Sequence, residues 1–304
     1  MVVEGSEDQL GWEARQRTPA AIAAAVAAVF TFVGTVWRGL ALADLPRTGI
    51  LESLDQAAEP GPIGGMESLR LETFRYYHDH AASALLSSVV VAIGYLALGW
   101  ALTYLAVATR ARRPQLSRIM VYVPLVAAVL QALATTISAV ATNTAISDFL
   151  AGARTVDAAQ DVTDTGLSVF ASLLGLPGAL GLLIGLIVIC LNAMRAGLLT
   201  RFMGVLGIIT GVLQLFPVGG PLPVVQCFWL LMLSLLFLGS WPGGQPPAWR
   251  TGKAEPWPSS ARVRQQRRGA AEAAGETLAP DEPEPVAVGP SPSASARKRK
   301  RKRR

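Results

Sequence analysis

Apolar residues run through this chain in long unbroken stretches, not at the alternating spacing of a half-buried strand. Six stretches meet or approach the roughly 20 residues needed to cross a hydrocarbon layer about 30 Å thick: residues 20–43, 81–107, 119–141, 167–194, 198–216 and 222–240. The fifth is the shortest, and its helix is expected to borrow a turn from residues 197–201. The FPVGGPLP segment at 216–223 breaks the helix and re-aims the chain, so the last two runs read as an antiparallel hairpin. The pattern predicts an all-α fold, a polytopic transmembrane bundle of about six helices.

The first run has a competing reading. Arg15 and Arg17 before it and the ALA triplet at 41–43 after it also fit a signal peptide with its cleavage site. The apolar stretch from 20 to 36 is longer than the usual ~7–15 residue signal core, Trp37 and Arg38 intervene, and the leading segment is acidic. An uncleaved anchor is therefore expected; cleavage would leave five spans.

Composition narrows the class further. The chain is 51% hydrophobic and 16% charged, against roughly 25% charged in soluble domains. Two cysteines in 304 residues exclude a disulfide-stapled secreted domain. The net charge of +6 dissolves on inspection. Residues 1–18, a short cytoplasmic segment, carry −2; the transmembrane domain, 19–241, is neutral; and 242–304, a Pro-rich, disordered and basic cytoplasmic tail, carries +8. A basic groove on a folded domain is not what this describes, which argues against nucleic acid as a partner.

Charge position gives orientation. The connection at 109–118 holds Arg110, Arg112, Arg113 and Arg118 with no acid, and the one after the fourth run holds Arg195 and Arg201. Residues 44–80 carry seven acids and three Arg, and 142–166 four acids and one Arg. By the positive-inside rule the Arg-rich connections and both termini are cytoplasmic. The bias of 23 Arg to 4 Lys and the wealth of Ala suggest a high-GC bacterium, hence a plasma membrane.

Lipid gives no hydrophobic drive between helices, so small residues and interhelical hydrogen bonds must hold the bundle. Gly181 and Gly185 in the fourth run, with Gly178 nearby, and Gly207 and Gly211 in the fifth, with Gly204 nearby, are the helix-packing candidates. A homodimer seam on the same faces is the alternative. Pro124 and Pro177 each remove a backbone donor inside a run, where a kink is expected. Gln131, Thr135 and Ser138 share a face of the third run and are the polar intramembrane candidates, as interhelical contacts or as a path for a neutral solute. No Asp, Glu, Lys or His falls inside a clear run, and Arg38 can snorkel outward. That lowers proton-relay and ion-coupled readings.

The search for chemistry ends without a catalytic constellation. His78 and His80 bracket Asp79, but i and i+2 diverge on a helix and no further His or Cys lies outside to complete a metal site. With Tyr76 and Tyr77 they read as an interface belt. The preceding residues, 66–80, look helical. Cys190 and Cys227 fall in separate runs near opposite sides. There is no HExxH, GxSxG or Walker motif, and no cofactor is expected. The start of the tail, with Trp241, Trp249 and Trp257, is expected to hug the interface. Its end, Arg297, Lys298, Arg299, Lys300, Arg301, Lys302, Arg303 and Arg304, is an unbroken cationic run suited to anionic lipid or an acidic partner.

The segment NAMRAGLLTRFMGVLG at 192–207, followed by the Pro/Gly hairpin and FWLL at 228–231, resembles small six-span membrane proteins of high-GC Gram-positive bacteria that carry no assigned function. The resemblance is specific over the last two runs and loose over the six-span layout, and it brings no catalytic residues. The expected role is non-enzymatic, structural or interaction-type, with the bilayer as first partner. A transporter or permease component for a neutral or lipidic solute is the alternative, although no internal repeat between the two halves supports it.

Overall fold

The computed structural model describes residues 6–46, 49–58, 61–215, 223–241, 245–255 and 269. They form ten α-helices: α1 (Ser6–Ala41), α2 (Ile50–Ala58), α3 (Leu71–Asp79), α4 (Ala81–Arg112), α5 (Ile119–Ala151), α6 (Val156–Asp161), α7 (Gly166–Ala196), α8 (Arg201–Leu215), α9 (Val224–Leu238) and α10 (Pro247–Thr251). The fold is all-α; among the described residues the one β-type pairing is an isolated antiparallel bridge between Glu67 and Thr155. Four helices, α1, α4, α5 and α7, are long and apolar enough to cross a membrane, and α8 and α9 are shorter apolar helices.

Six helices close into a ring. α1 packs on α4, α4 on α5, α5 on α7, α7 on α8, α8 on α9, and α9 returns to α1, while α4 and α7 also touch across the middle. Small residues carry the approaches. Ala20, Ala24, Ala27 and Ala28 of α1 are almost completely buried. A Cβ on Gly34 would stand 2.9 Å from the Ser87 carbonyl oxygen, one on Gly99 2.6 Å from Ala128 Cβ, and one on Gly178 2.9 Å from the Gln131 backbone nitrogen. Leu98, Leu102 and Leu105 of α4 and Leu182, Leu186 and Ile189 of α7 fill the centre, each fully buried.

The four packing glycines lie inside this ring. Gly181 faces Ala127 of α5, where a Cβ would come to 2.7 Å of Ala127 Cβ; Gly185 is looser, 3.5 Å from Pro124 Cγ. Gly207 sits between Cys190 of α7 and Trp229 of α9, with 2.4 Å and 3.0 Å available, and Gly211 meets Leu186 and the Leu183 carbonyl. The tightest approach to backbone on the α5–α7 seam belongs to Gly178. Gly178→Ala is expected to force the two helices apart and cost about 1–3 kcal/mol, whereas Gly185→Ala should be close to neutral; reversible unfolding in mixed micelles measures both.

The helix limits differ from the apolar runs at three places. The first helix extends beyond its apolar run: α1 runs without interruption from Ser6, through Pro19, so the acidic leader forms the first turns of the first long helix. Within these turns Glu13 and Gln9 are buried. The fifth run does not borrow a turn from 197–201. Gly197 ends α7 in the left-handed conformation, φ 78°, and the amides of Gly197 and Leu198 close on the carbonyls of Met194 and Ala193. α8 therefore starts afresh at Arg201. A further correction is at the start of the tail, read from its composition as disordered, where residues 247–251 form α10.

At the end of the ring opposite the Arg-rich connections lies a small cap. α3 is separated from α4 by a break at His80 (φ −104°, ψ 11°) and rests Leu71, Phe74 and Tyr77 on Ile146 and Phe149 of α5. Phe74 and Phe149 meet edge to face at 4.9 Å. Thr155 caps α6 by accepting from the Ala158 amide, and α6 completes the cluster through Ala159.

Candidate functional site

The most heavily built polar site stands at the Arg-rich end, where the first turns of α1, the last turns of α4 and α9, and α10 converge. Arg112, the last residue of α4, is wholly buried there, and Glu13 of α1 is 5% exposed. Their side chains meet fork to fork: Arg112 Nη1 donates to Glu13 Oε1 at 2.5 Å and Nη2 to Oε2 at 2.8 Å. Arg112 Nη1 also donates to the Ala108 carbonyl at 2.9 Å, and Nε to the Ala248 carbonyl of α10 at 2.9 Å. Gln9 Nε2 donates to Glu13 Oε1 at 2.8 Å. Desolvating two charges is costly, and planar bidentate geometry with further hydrogen bonds is the arrangement that offsets it.

Aromatic rings seal the pair. Tyr104 of α4 lies stacked between Trp12 of α1, 5.8 Å away, and Trp249 of α10, 5.9 Å away. Phe237 of α9 meets Tyr104 edge to face at 4.9 Å. The Arg112 guanidinium sits over the Trp249 ring, 5.3 Å from its centroid. The polar edges are also used: Tyr104 Oη donates to the Glu13 carbonyl at 3.2 Å and Trp249 Nε1 to the Leu198 carbonyl at 3.1 Å. Arg17 donates to the Phe237 carbonyl just ahead of Gly239, which caps α9 at φ 79°. The carboxylate and the guanidinium are thus held in one geometry by partners from α1, α4 and α10. The cluster fastens three long elements to the short helix that begins the tail.

Inside the bundle the polar side chains are mostly spent on their own helix. Thr135 Oγ1 donates to the Gln131 carbonyl at 2.8 Å, and Thr136 Oγ1 to that of Ala132 at 3.0 Å. Ser138 is exposed on the outer surface of the bundle. The structure therefore does not gather Gln131, Thr135 and Ser138 into one site. Of the three, Gln131 reaches the α5–α7 crossing, over Gly178. Its Oε1 is buried without a hydrogen-bond partner. Gln131→Leu removes that unpaired acceptor and is expected to leave unfolding free energy unchanged or raised by up to about 1 kcal/mol, read by the same micelle titration. In the last hairpin Gln214 Nε2 donates to Gln226 Oε1 at 3.1 Å.

At the opposite end, His80 Nδ1 lies 2.9 Å from the Tyr76 carbonyl and its ring stacks on Tyr76 at 4.2 Å, while His78 approaches Ser147 Oγ at 3.4 Å. No group of three His, Cys, Asp or Glu that could hold a metal occurs among the described residues. Cys190 and Cys227 are free and buried. An open cavity of about 650 Å³ lies between α2, α3 and α6. Part of its polar wall is engaged: Gln56 Nε2 donates to the Glu67 carbonyl, Thr73 Oγ1 to Pro46, and Ser53 Oγ to Gly49, while Arg70 and Gln160 also line it. The run 297–304 lies outside the described residues.

No family model, curated protein or solved structure matches the chain. The residues of the Arg-rich cluster escape a sequence reading because each looks ordinary alone. One signal was present: Glu13 and Arg112 are opposite charges, seven and five residues beyond apolar runs whose ends are expected on the same side.

Proposed function

We propose that the chain is a multi-pass plasma-membrane protein of structural or interaction type, without enzymatic activity, that presents a basic tail from a fixed root on the cytoplasmic face. The observation that carries this reading is the Glu13–Arg112–Trp249 cluster, because it joins α10 to three helices of the bundle and leaves the chain beyond it to leave from one place. The Arg-rich connections at the same end support a cytoplasmic assignment. The burial of Ala20, Ala24 and Ala27 against the ring supports an uncleaved first span. α8 and α9, 15 residues each, are about 22 Å long at 1.5 Å per residue. Their pairing with α7 and α1 supports counting them as a fifth and sixth span in a locally thinned bilayer. The membership suggested by residues 192–207, in six-span proteins of high-GC Gram-positive bacteria, belongs to this proposal.

The cationic run 297–304 is the contact element, and its ligand is an anionic surface: acidic lipid headgroups or an acidic protein partner. The test is purification of the full chain and of a chain ending at Ala296 in mild detergent. Loss of co-purifying anionic lipid or of one defined protein with the truncation is expected. Retention of everything by the truncated chain, or solute flux in proteoliposomes that survives truncation and stops with Gln131→Leu, overturns it in favour of a permease. Orientation is tested separately: a reporter inserted at Gln160 is expected to read the outside, and a cytoplasmic signal refutes the topology.

A further inference from the structure

α2 has no buried residue, although it contains the two most exposed large apolar side chains among the described residues, Ile50 and Leu51 at 81% and 76%, with Leu54 at 60%. At 100° per residue these three and Ala57 and Ala58 occupy an arc of about 120°. Glu52, Ser53, Asp55 and Gln56 fill the rest of the circumference. The helix is held by its polar side: Ser53 and Gln56 line the cavity against α3 and α6, and Gln56 Nε2 donates to the Glu67 carbonyl at 2.7 Å. The apolar arc therefore faces away from the protein.

The neighbouring ends of the bundle helices also present apolar side chains outward. α1 ends at Ala41, nine positions before α2 begins, and its last turns expose Trp37 and Leu40. The start of α7, at the same end, exposes Leu167, Phe170 and Leu173. A nine-residue helix whose polar side is pinned to the cap, beside the edge of a lipid-facing belt, has the placement of an in-plane interfacial helix. The geometry points to a lipid surface as its occupant: α2 lies in the leaflet at the acidic end, with Ile50, Leu51 and Leu54 among the upper acyl chains. Its described charges are acidic, Glu52 and Asp55, so the attraction is apolar and needs no anionic lipid. The inference rests on the membrane reading above, and the experiment separates the two.

The full chain, with Cys190 and Cys227 replaced by Ala, is labelled with a nitroxide at Leu54→Cys, Asp55→Cys or Leu173→Cys and placed in phosphatidylcholine nanodiscs. The expected result is a ratio of oxygen to nickel-chelate collision several-fold higher at position 54 than at 55, with position 173 higher still. Equal, nickel-accessible behaviour at 54 and 55, with 173 protected, overturns the inference and leaves the membrane reading intact. Nickel access at 173 as well overturns both. Dipolar broadening at 54 that vanishes on dilution with unlabelled protein assigns the face to a second copy and also overturns it.

Discussion

Arg112→Met is expected to lower the stability of the bundle by about 3–5 kcal/mol, because it leaves the Glu13 carboxylate buried, 5% exposed, and without its cation. The cost comes from the abandoned charge more than from a lost attraction. Removing both partners should therefore recover most of it: Glu13→Leu with Arg112→Met is expected to return to within about 1 kcal/mol of the parent or above it. Both side chains are replaced by apolar ones of similar length in a site walled by Trp12, Tyr104 and Trp249. The exposed pair Arg75–Glu72, at 49% and 67% exposure, provides the contrast, and Arg75→Ala should cost no more than about 1 kcal/mol. Reversible unfolding in mixed micelles, followed by tryptophan fluorescence, reads all three variants. A double variant as unstable as Arg112→Met would show that the site depends on the ion pair itself.

Trp249→Ala is expected to cost a further distinct amount, about 3–5 kcal/mol if the vacated space does not collapse. Trp249 is 7% exposed and touches three separate groups: the face of Tyr104, the edge of Phe237 and the guanidinium of Arg112. Its indole also satisfies the Leu198 carbonyl, in the turn where α7 ends. Losing it should free α10, so limited proteolysis should cut between residues 241 and 255 at protease levels that spare the parent. Trp249→Phe keeps a ring but not the donor, and its stability should fall between the two. If Trp249→Ala leaves both stability and cleavage unchanged, the tail is not rooted in the cluster.

The architecture was legible in the apolar runs to the extent that each run is one helix, and α4, α5 and α7 begin within a residue of their sequence limits. What the runs could not convey was how polar residues at their edges would be used. Glu13 and Gln9 belong to an acidic leader when read along the chain, yet they occupy the first turns of α1 and turn inward. Gly197 sits in a run of helix-compatible residues, and only the left-handed cap shows that the chain stops there. Trp249 follows two prolines in a segment of tail-like composition, and its burial depends on a socket contributed by α1, α4 and α9. The polar trio on α5 had the right helical spacing, but Thr135 satisfied itself against its own backbone and Ser138 faced outward. Spacing places residues on a face; it does not say which neighbour that face meets.

Hydropathy by itself determined that the chain folds as a bundle of apolar helices, because the free energy of hiding some twenty consecutive apolar residues outweighs every local preference. Charge position supplied the expectation of which ends share a side. The tertiary structure alone decided that the six helices close into a ring, that the glycines work between helices of one chain, and that an acidic leader, an arginine and a tail tryptophan form a single fastening. These are decisions of partner choice between residues as far as 220 positions apart. The interactions that make them, a desolvated bidentate ion pair and stacked rings, acquire their strength only when the surrounding helices have already excluded water.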